Sequence, residues 1–141
     1  MKTIRTGTFE TNSSSSHSLT ISKGEAPQNP DVDFKGEPYN LYGGCYGWGY
    51  EVLTTPAEKI NYIAVEATIL NNETLKEWLE EIIQKRYNCG EVIFPTVDFT
   101  NSYIDHQSQG LIRDEFGHTS KRDLEKFIFS DSTIIIDNDN H

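Results

Sequence analysis

The sequence predicts an α+β fold: a mostly antiparallel sheet of four to five strands, covered on one face by an αα-hairpin, with a short third helix. Three observations carry this prediction. Runs rich in β-branched residues stand near both ends of the chain, at Thr3 to Phe9 and at Ser132 to Ile136. Between them, Thr55-Pro56-Ala57-Glu58 has the form of a capping box with proline at the first helical position, which opens the clearest helix signal of the chain. At 141 residues and 35% hydrophobic, the composition suits one core, so residues 1–141 are expected to form a single domain.

Taken in order, Thr3, Ile4, Thr6 and Thr8 favour a first strand, with Gly7 as a bulge. Leu19-Thr20-Ile21 alternates apolar and polar, so His17 to Ser22 is expected to pair antiparallel with it through a serine-rich loop. Residues 23–50 carry Pro27, Pro30 and Pro38, then a Gly/Tyr-rich run through Tyr46, Trp48 and Tyr50; no helical period is present, and a long irregular loop is expected. After Pro56, the residues Ile60, Ile63, Ala64, Ala67 and Leu70 recur at helical spacing and predict one buried face. A second helix is expected from Glu73 to Asn88, with Leu75, Trp78, Leu79, Ile82 and Ile83 inward, Lys85 and Arg86 near its end, and Gly90 as its stop. Glu91-Val92-Ile93-Phe94 reads as a buried strand ended by Pro95, and Thr100 to Gly110 as a strand leading into a polar turn. Ser120-Lys121-Arg122-Asp123 caps the short third helix, with Leu124, Phe127 and Ile128 inward; Ser132 to Ile136 is then expected as a central strand.

Composition bounds the function. Twelve Lys and Arg against 22 Asp and Glu give a formal net charge of −10, a field that repels nucleic acid and anionic membranes. Cys45 and Cys89 make neither a disulfide framework nor a zinc motif, so no metal and no cofactor are expected. No signal-peptide pattern and no run of 18 apolar residues is present, and the expected location is the cytoplasm.

Chemistry is densest between the first two strands, where Glu10, Asn12, Ser13, Ser14, Ser15, Ser16 and His17 follow one another closely. Hydroxyls and turn amides of this kind cradle anions, and an imidazole adds a charged donor or takes a proton. A solvated serine tract is the plain alternative. The run from Arg5 to Ser18 resembles the opening of a family of uncharacterised proteins from bacteria, their phages and mobile elements. That family also tends to carry an Asp-His-Gln-Ser element, here Asp105-His106-Gln107-Ser108, and an acidic Asn/Asp end, here Asp137-Asn138-Asp139-Asn140. The resemblance implies a phage or mobile-element setting and a shared polar site, and no defined activity.

Other chemistries find less support. A metal site from His17, His106 and Asp105 or Asp137 has suitable ligand types, yet no spacing forces it. No Gly-x-Ser-x-Gly elbow singles out a nucleophile, and the terminal acidic run lacks the glycine and glutamate of a calcium loop. The favoured reading is a noncatalytic pocket for an anionic, ring-bearing small molecule such as a nucleotide. Asn12 and Ser13 to Ser16 would hold phosphate, with Arg5, His17 or His106 supplying charge beside Glu10 and Asp105. Tyr46, Trp48 or Tyr50 would stack on the ring; a lid or a homo-oligomer interface is the other use for these aromatics. In a phage setting this implies sequestering a host signalling nucleotide. The alternatives are an acidic inhibitor that contacts a host enzyme directly, and a small hydrolase of phosphate-containing substrates using His17, His106 and Asp105.

Overall fold

The computed structural model describes residues 2–6, 17–30, 32–46, 50–97, 102–104, 111–116 and 120–138. Within them the fold is mixed α and β, with four helices and one principal antiparallel sheet. Strand β1 (Lys2–Thr6) pairs with β2 (His17–Lys23) in a register that sets Arg5 opposite Thr20 and Thr6 opposite Leu19. Strand β2 pairs on its other side with β8 (Thr133–Asn138), and β8 pairs in turn with the short strand β5 (Glu51–Leu53), giving the order β1-β2-β8-β5. Ile134 and Ile136 of β8 are buried while Ile135 is half-buried, the alternation of a strand whose two faces differ.

Two further pairings lie outside this sheet and are parallel. Strand β3 (Tyr39–Asn40) runs beside β6 (Val92–Ile93), and β4 (Cys45–Tyr46) beside β7 (Tyr103–Ile104). The buried strand expected at Glu91 to Phe94 is thus a two-residue parallel rung, and its Ile93 is exposed.

The described residues of 23–50 are largely irregular, as expected, and are tied to the core by the short strands β3 and β4 and by backbone hydrogen bonds. Backbone N–H groups of Phe34, Gly36, Tyr39 and Leu41 donate in succession to carbonyls of Tyr87, Asn88, Glu91 and Ile93 at 2.8 to 2.9 Å. Tyr39 and Tyr46 are core residues, whereas Tyr42 and Tyr50 are exposed. Tyr39 stacks on Phe34 with centroids 4.7 Å apart and meets Tyr87 edge-on, while Tyr46 meets Tyr62 edge-on at 5.1 Å.

Helix α1 (Pro56–Ile69) opens with the expected capping box: Thr55 accepts from the Glu58 N–H, and the Glu58 carboxylate accepts from the Thr55 N–H. It departs from the expected single apolar face, because every residue from Lys59 to Ala67 is buried. Apolar side chains occur all round its circumference, Tyr62 and Val65 as well as Ile60 and Ile63, and a helix of that kind is enclosed on all sides. Helix α2 (Glu73–Tyr87) is amphipathic in the ordinary way, with Leu75, Leu79, Ile82, Ile83 and Tyr87 buried and Trp78 packed partly against the core. It stops at Asn88, whose φ of 52° places it in the left-handed region, and not at Gly90 as expected. Gly90 serves another need: a Cβ there would lie 2.6 Å from the Gly36 carbonyl oxygen.

Two more helices complete the chain. Helix α3 (Leu111–Phe116) has no counterpart in the sequence reading. Helix α4 (Lys121–Ile128) has the expected Ser120 cap, with Asp123 completing a capping box and Leu124, Phe127 and Ile128 buried. A pairing of Arg86 with Glu125 at 2.7 Å ties α2 to α4. No helix among the described residues is long and apolar enough to cross a membrane.

Candidate functional site at one end of the sheet

The register of the sheet brings together residues that the sequence separates widely. His17 stands opposite Asn138 and Ser18 opposite Asp137, so the end of the serine-rich segment and the acidic terminal run are neighbours across one ladder. On the far side of β8, Glu51 stands opposite Ile136, and Tyr50 immediately precedes it. On the near side β1 ends at Thr6, opposite Leu19. One end of the sheet therefore carries the exit of β1, the start of β2, the start of β5 and the end of β8.

The strand pair β4–β7 adjoins the same region electrostatically. Tyr46 is buried, its hydroxyl donates to the Gly43 carbonyl, and burial together with the nearby Glu51 carboxylate raises its hydroxyl above the ordinary tyrosine range. Burial also raises the Glu51 carboxyl. Tyr46 pairs with Ile104 in β7, and Asp105 is the next residue in the chain.

Of the sequence-predicted site residues, Arg5 lies within β1 and His17 begins β2. Tyr50 is 62% exposed. Tyr46, at 7% exposed, has its ring edge-on to Tyr62, which withdraws it from stacking on a ligand. Glu10, Asn12, Ser13, Ser14, Ser15, Ser16, Trp48, Asp105 and His106 lie outside the described residues. Among the described residues no group of three His, Cys, Asp or Glu is placed to hold a metal ion.

Sequence reasoning missed three buried polar residues on α1. Lys59 donates from Nζ to the carbonyls of Phe127, Ser130 and Ser132 at 2.8 to 2.9 Å, which satisfies all three of its protons, and it lies over the Phe127 ring. Burial lowers its ammonium to about 8. Asn61 accepts from the Gly43 N–H at 2.8 Å, and so fixes the approach to β4. Glu66 receives the Ile112 N–H on one carboxylate oxygen and the Arg113 N–H on the other, at 3.0 and 2.9 Å, and burial raises its carboxyl to about 7. The signal for all three was the apolar circumference of α1: a charged residue on an enclosed helix is buried with its partners.

The chain was compared with family models, curated proteins and solved structures, and none of them matches it.

Proposed function

We propose that this protein binds a small anionic, ring-bearing molecule of the nucleotide type at the end of the sheet where β2 and β8 meet. The observation that carries the reading is the pairing of His17 with Asn138 and of Ser18 with Asp137, which sets two of the three polar motifs side by side. A second support is chain length. Ten residues, 7–16, join β1 to β2, where a plain hairpin needs two to five, and over-long connections on a rigid scaffold tend to carry function. In this proposal Asn12 and Ser13 to Ser16 hold the anion, Arg5, His17 and His106 supply positive charge, His106 standing two residues beyond β7 in the chain, and Tyr50 offers the exposed ring. In the same reading the hairpin of α1 and α2 covers one face of the sheet. A phage or mobile-element protein of this kind would work in the host cytoplasm by sequestering a signalling nucleotide.

A second reading is favoured by one observation. Tyr42, Tyr50 and Val52 are exposed apolar residues, and Val52 lies on β5, an outer strand of the described sheet. An acidic protein that blocks a host enzyme by contact would use such a surface.

Thermal denaturation separates the two. With nucleoside phosphates, cyclic dinucleotides and inorganic phosphate titrated separately, the midpoint is expected to rise with one of them. The rise should reach about 6 to 10 °C at roughly 100 times the dissociation constant. His17→Ala is expected to abolish the response, and chromatography should recover the nucleotide intact; conversion of the nucleotide would assign a hydrolase instead. No shift with any compound at millimolar concentration overturns the binding reading.

A further inference from the structure

A cavity of about 360 Å³ opens at the other end of the sheet, where β2 finishes and β8 is about to begin, and its size suits a small metabolite. It lies about 20 Å along β2 from His17, apart from the site proposed above. Its floor is Phe116 of α3 and Phe127 of α4, two rings with centroids 5.0 Å apart and inclined at 41°. Its wall is formed before any ligand enters. Ser132 Oγ accepts from the Gly24 N–H at 3.0 Å and donates to the Gly24 carbonyl at 3.2 Å, while Ser130 Oγ lies 2.8 Å from it. The three carbonyls on which Lys59 ends, those of Phe127, Ser130 and Ser132, all belong to residues of this lining. A lining clasped from behind in this way needs little ordering when a ligand arrives.

Charge at the rim selects the ligand. Lys23 of β2 and Glu115 of α3 are half-buried there, with Lys126 and Glu25 more exposed. Among the described residues none of these four is joined to an opposite charge, and the Lys23 ammonium lies over the Phe116 ring, 5.7 Å from its centroid. Asp123, the remaining charged residue of the lining, accepts from the N–H and hydroxyl of Ser120. The neighbouring cleft of about 330 Å³, between Trp78 and Arg113, differs: Arg113 and Asp114 stand 3.2 Å apart and satisfy each other. A polyphosphate in the first cavity would meet carboxylates, and a bare cation would meet lysines. The occupant that fits both carries one charge of each sign on an apolar body.

We propose that this cavity binds a small zwitterion of the amino-acid type, with Lys23 facing its carboxylate, Glu115 facing its ammonium, and Phe116 and Phe127 receiving an apolar side chain. The site does not rest on the nucleotide reading, and each stands if the other fails.

Nuclear magnetic resonance titration of the full chain tests it, with L-phenylalanine and L-leucine added separately to millimolar concentration. At least one is expected to shift the amides of Gly24 and Ser130 saturably, while that of Ile83 in α2 stays in place. Two analogues each lack one charge: 3-phenylpropionate has no ammonium and 2-phenylethylamine no carboxylate. Each is expected to bind about tenfold more weakly than L-phenylalanine, the worth of one charge-assisted contact. Lys23→Gln and Glu115→Gln should each weaken the amino acid by a similar factor, with the α2 amides unmoved as the sign of an intact fold. No saturable shift at Gly24 and Ser130 with either amino acid overturns the proposal. So does a loss below about threefold with either analogue, which needs no variant and would leave only an apolar depression, or undiminished affinity in either variant.

Discussion

Lys59 shows how a single charged side chain can serve as a structural clasp. Its ammonium reaches from the first turn of α1 to three carbonyls at the end of α4 and the turn into β8, and each of its protons has an acceptor. Replacing it with methionine keeps the bulk and strips a charged donor from three buried carbonyls, of which that of Phe127 keeps the Ser130 hydroxyl; each loss costs about 1 kcal/mol or more, less the desolvation that the ammonium no longer suffers. Lys59→Met is therefore expected to lower the unfolding free energy by about 3 kcal/mol at pH 7, measured by urea denaturation. The pH dependence has a definite sign. The folded state holds this proton less tightly, at about 8 against 10.5 for the ordinary lysine, so the unfolded chain binds more protons between those values. The wild type gains stability from Lys59 as pH rises through that window, Lys59→Met does not, and the gap between them should widen from pH 8 upward. A gap that narrows would mean that the three carbonyls hold the ammonium proton more strongly than burial disfavours it.

At the scale of elements, the caps were legible and the short strands were not. Thr55-Pro56-Ala57-Glu58 and Ser120 to Asp123 start α1 and α4 because a cap is a local arrangement, closed by hydrogen bonds three residues apart. The rungs β3–β6 and β4–β7 have two residues per strand and join segments more than 50 residues apart, so no local period announces them. Gly43 and Gly44, in the 23–50 segment, answer to the packing of β4. Gly43 has a φ of +74°, donates its N–H to Asn61, and leaves no room for a Cβ between the Ser102 hydroxyl and Pro95. Gly44, beside it, donates to Ser102 Oγ at 3.2 Å, which links the approach to β4 with the start of β7. Gly43→Ala combines backbone strain with a collision, and a loss of about 2 to 4 kcal/mol is expected in urea denaturation. The amides of Tyr46 and Ile104 should lose exchange protection beyond the global change, whereas those of α4 should not. Equal loss everywhere would mean that Gly43 holds no particular rung.

For the molecule as a whole, the decisive fact is that β8 lies inside the sheet, between β2 and β5, so that the amino-terminal hairpin is completed only by a strand from the other end of the chain. The sequence shows Ile134-Ile135-Ile136 as a strand, but the partners of a strand are fixed by packing across the core, and the meeting of His17 with Asn138 has no local signature. That arrangement allows fold and proposed site to be separated by one variant. A chain ending at Ile136 keeps the rungs from Leu19 to Ser22 against β8 and all three rungs of β5, while losing the two in which His17 and Ser18 take part. Its core is intact, because the buried residues of β8, Ile134 and Ile136, remain. Such a chain is expected to unfold in one cooperative transition at a cost of about 1 to 2 kcal/mol, the worth of two outer rungs, yet to lose the nucleotide-dependent rise in its denaturation midpoint. If the shortened chain folds and its midpoint still climbs with nucleotide as far as the full chain's does, the ligand sits elsewhere, and the meeting of the serine-rich and acidic segments is an accident of strand order.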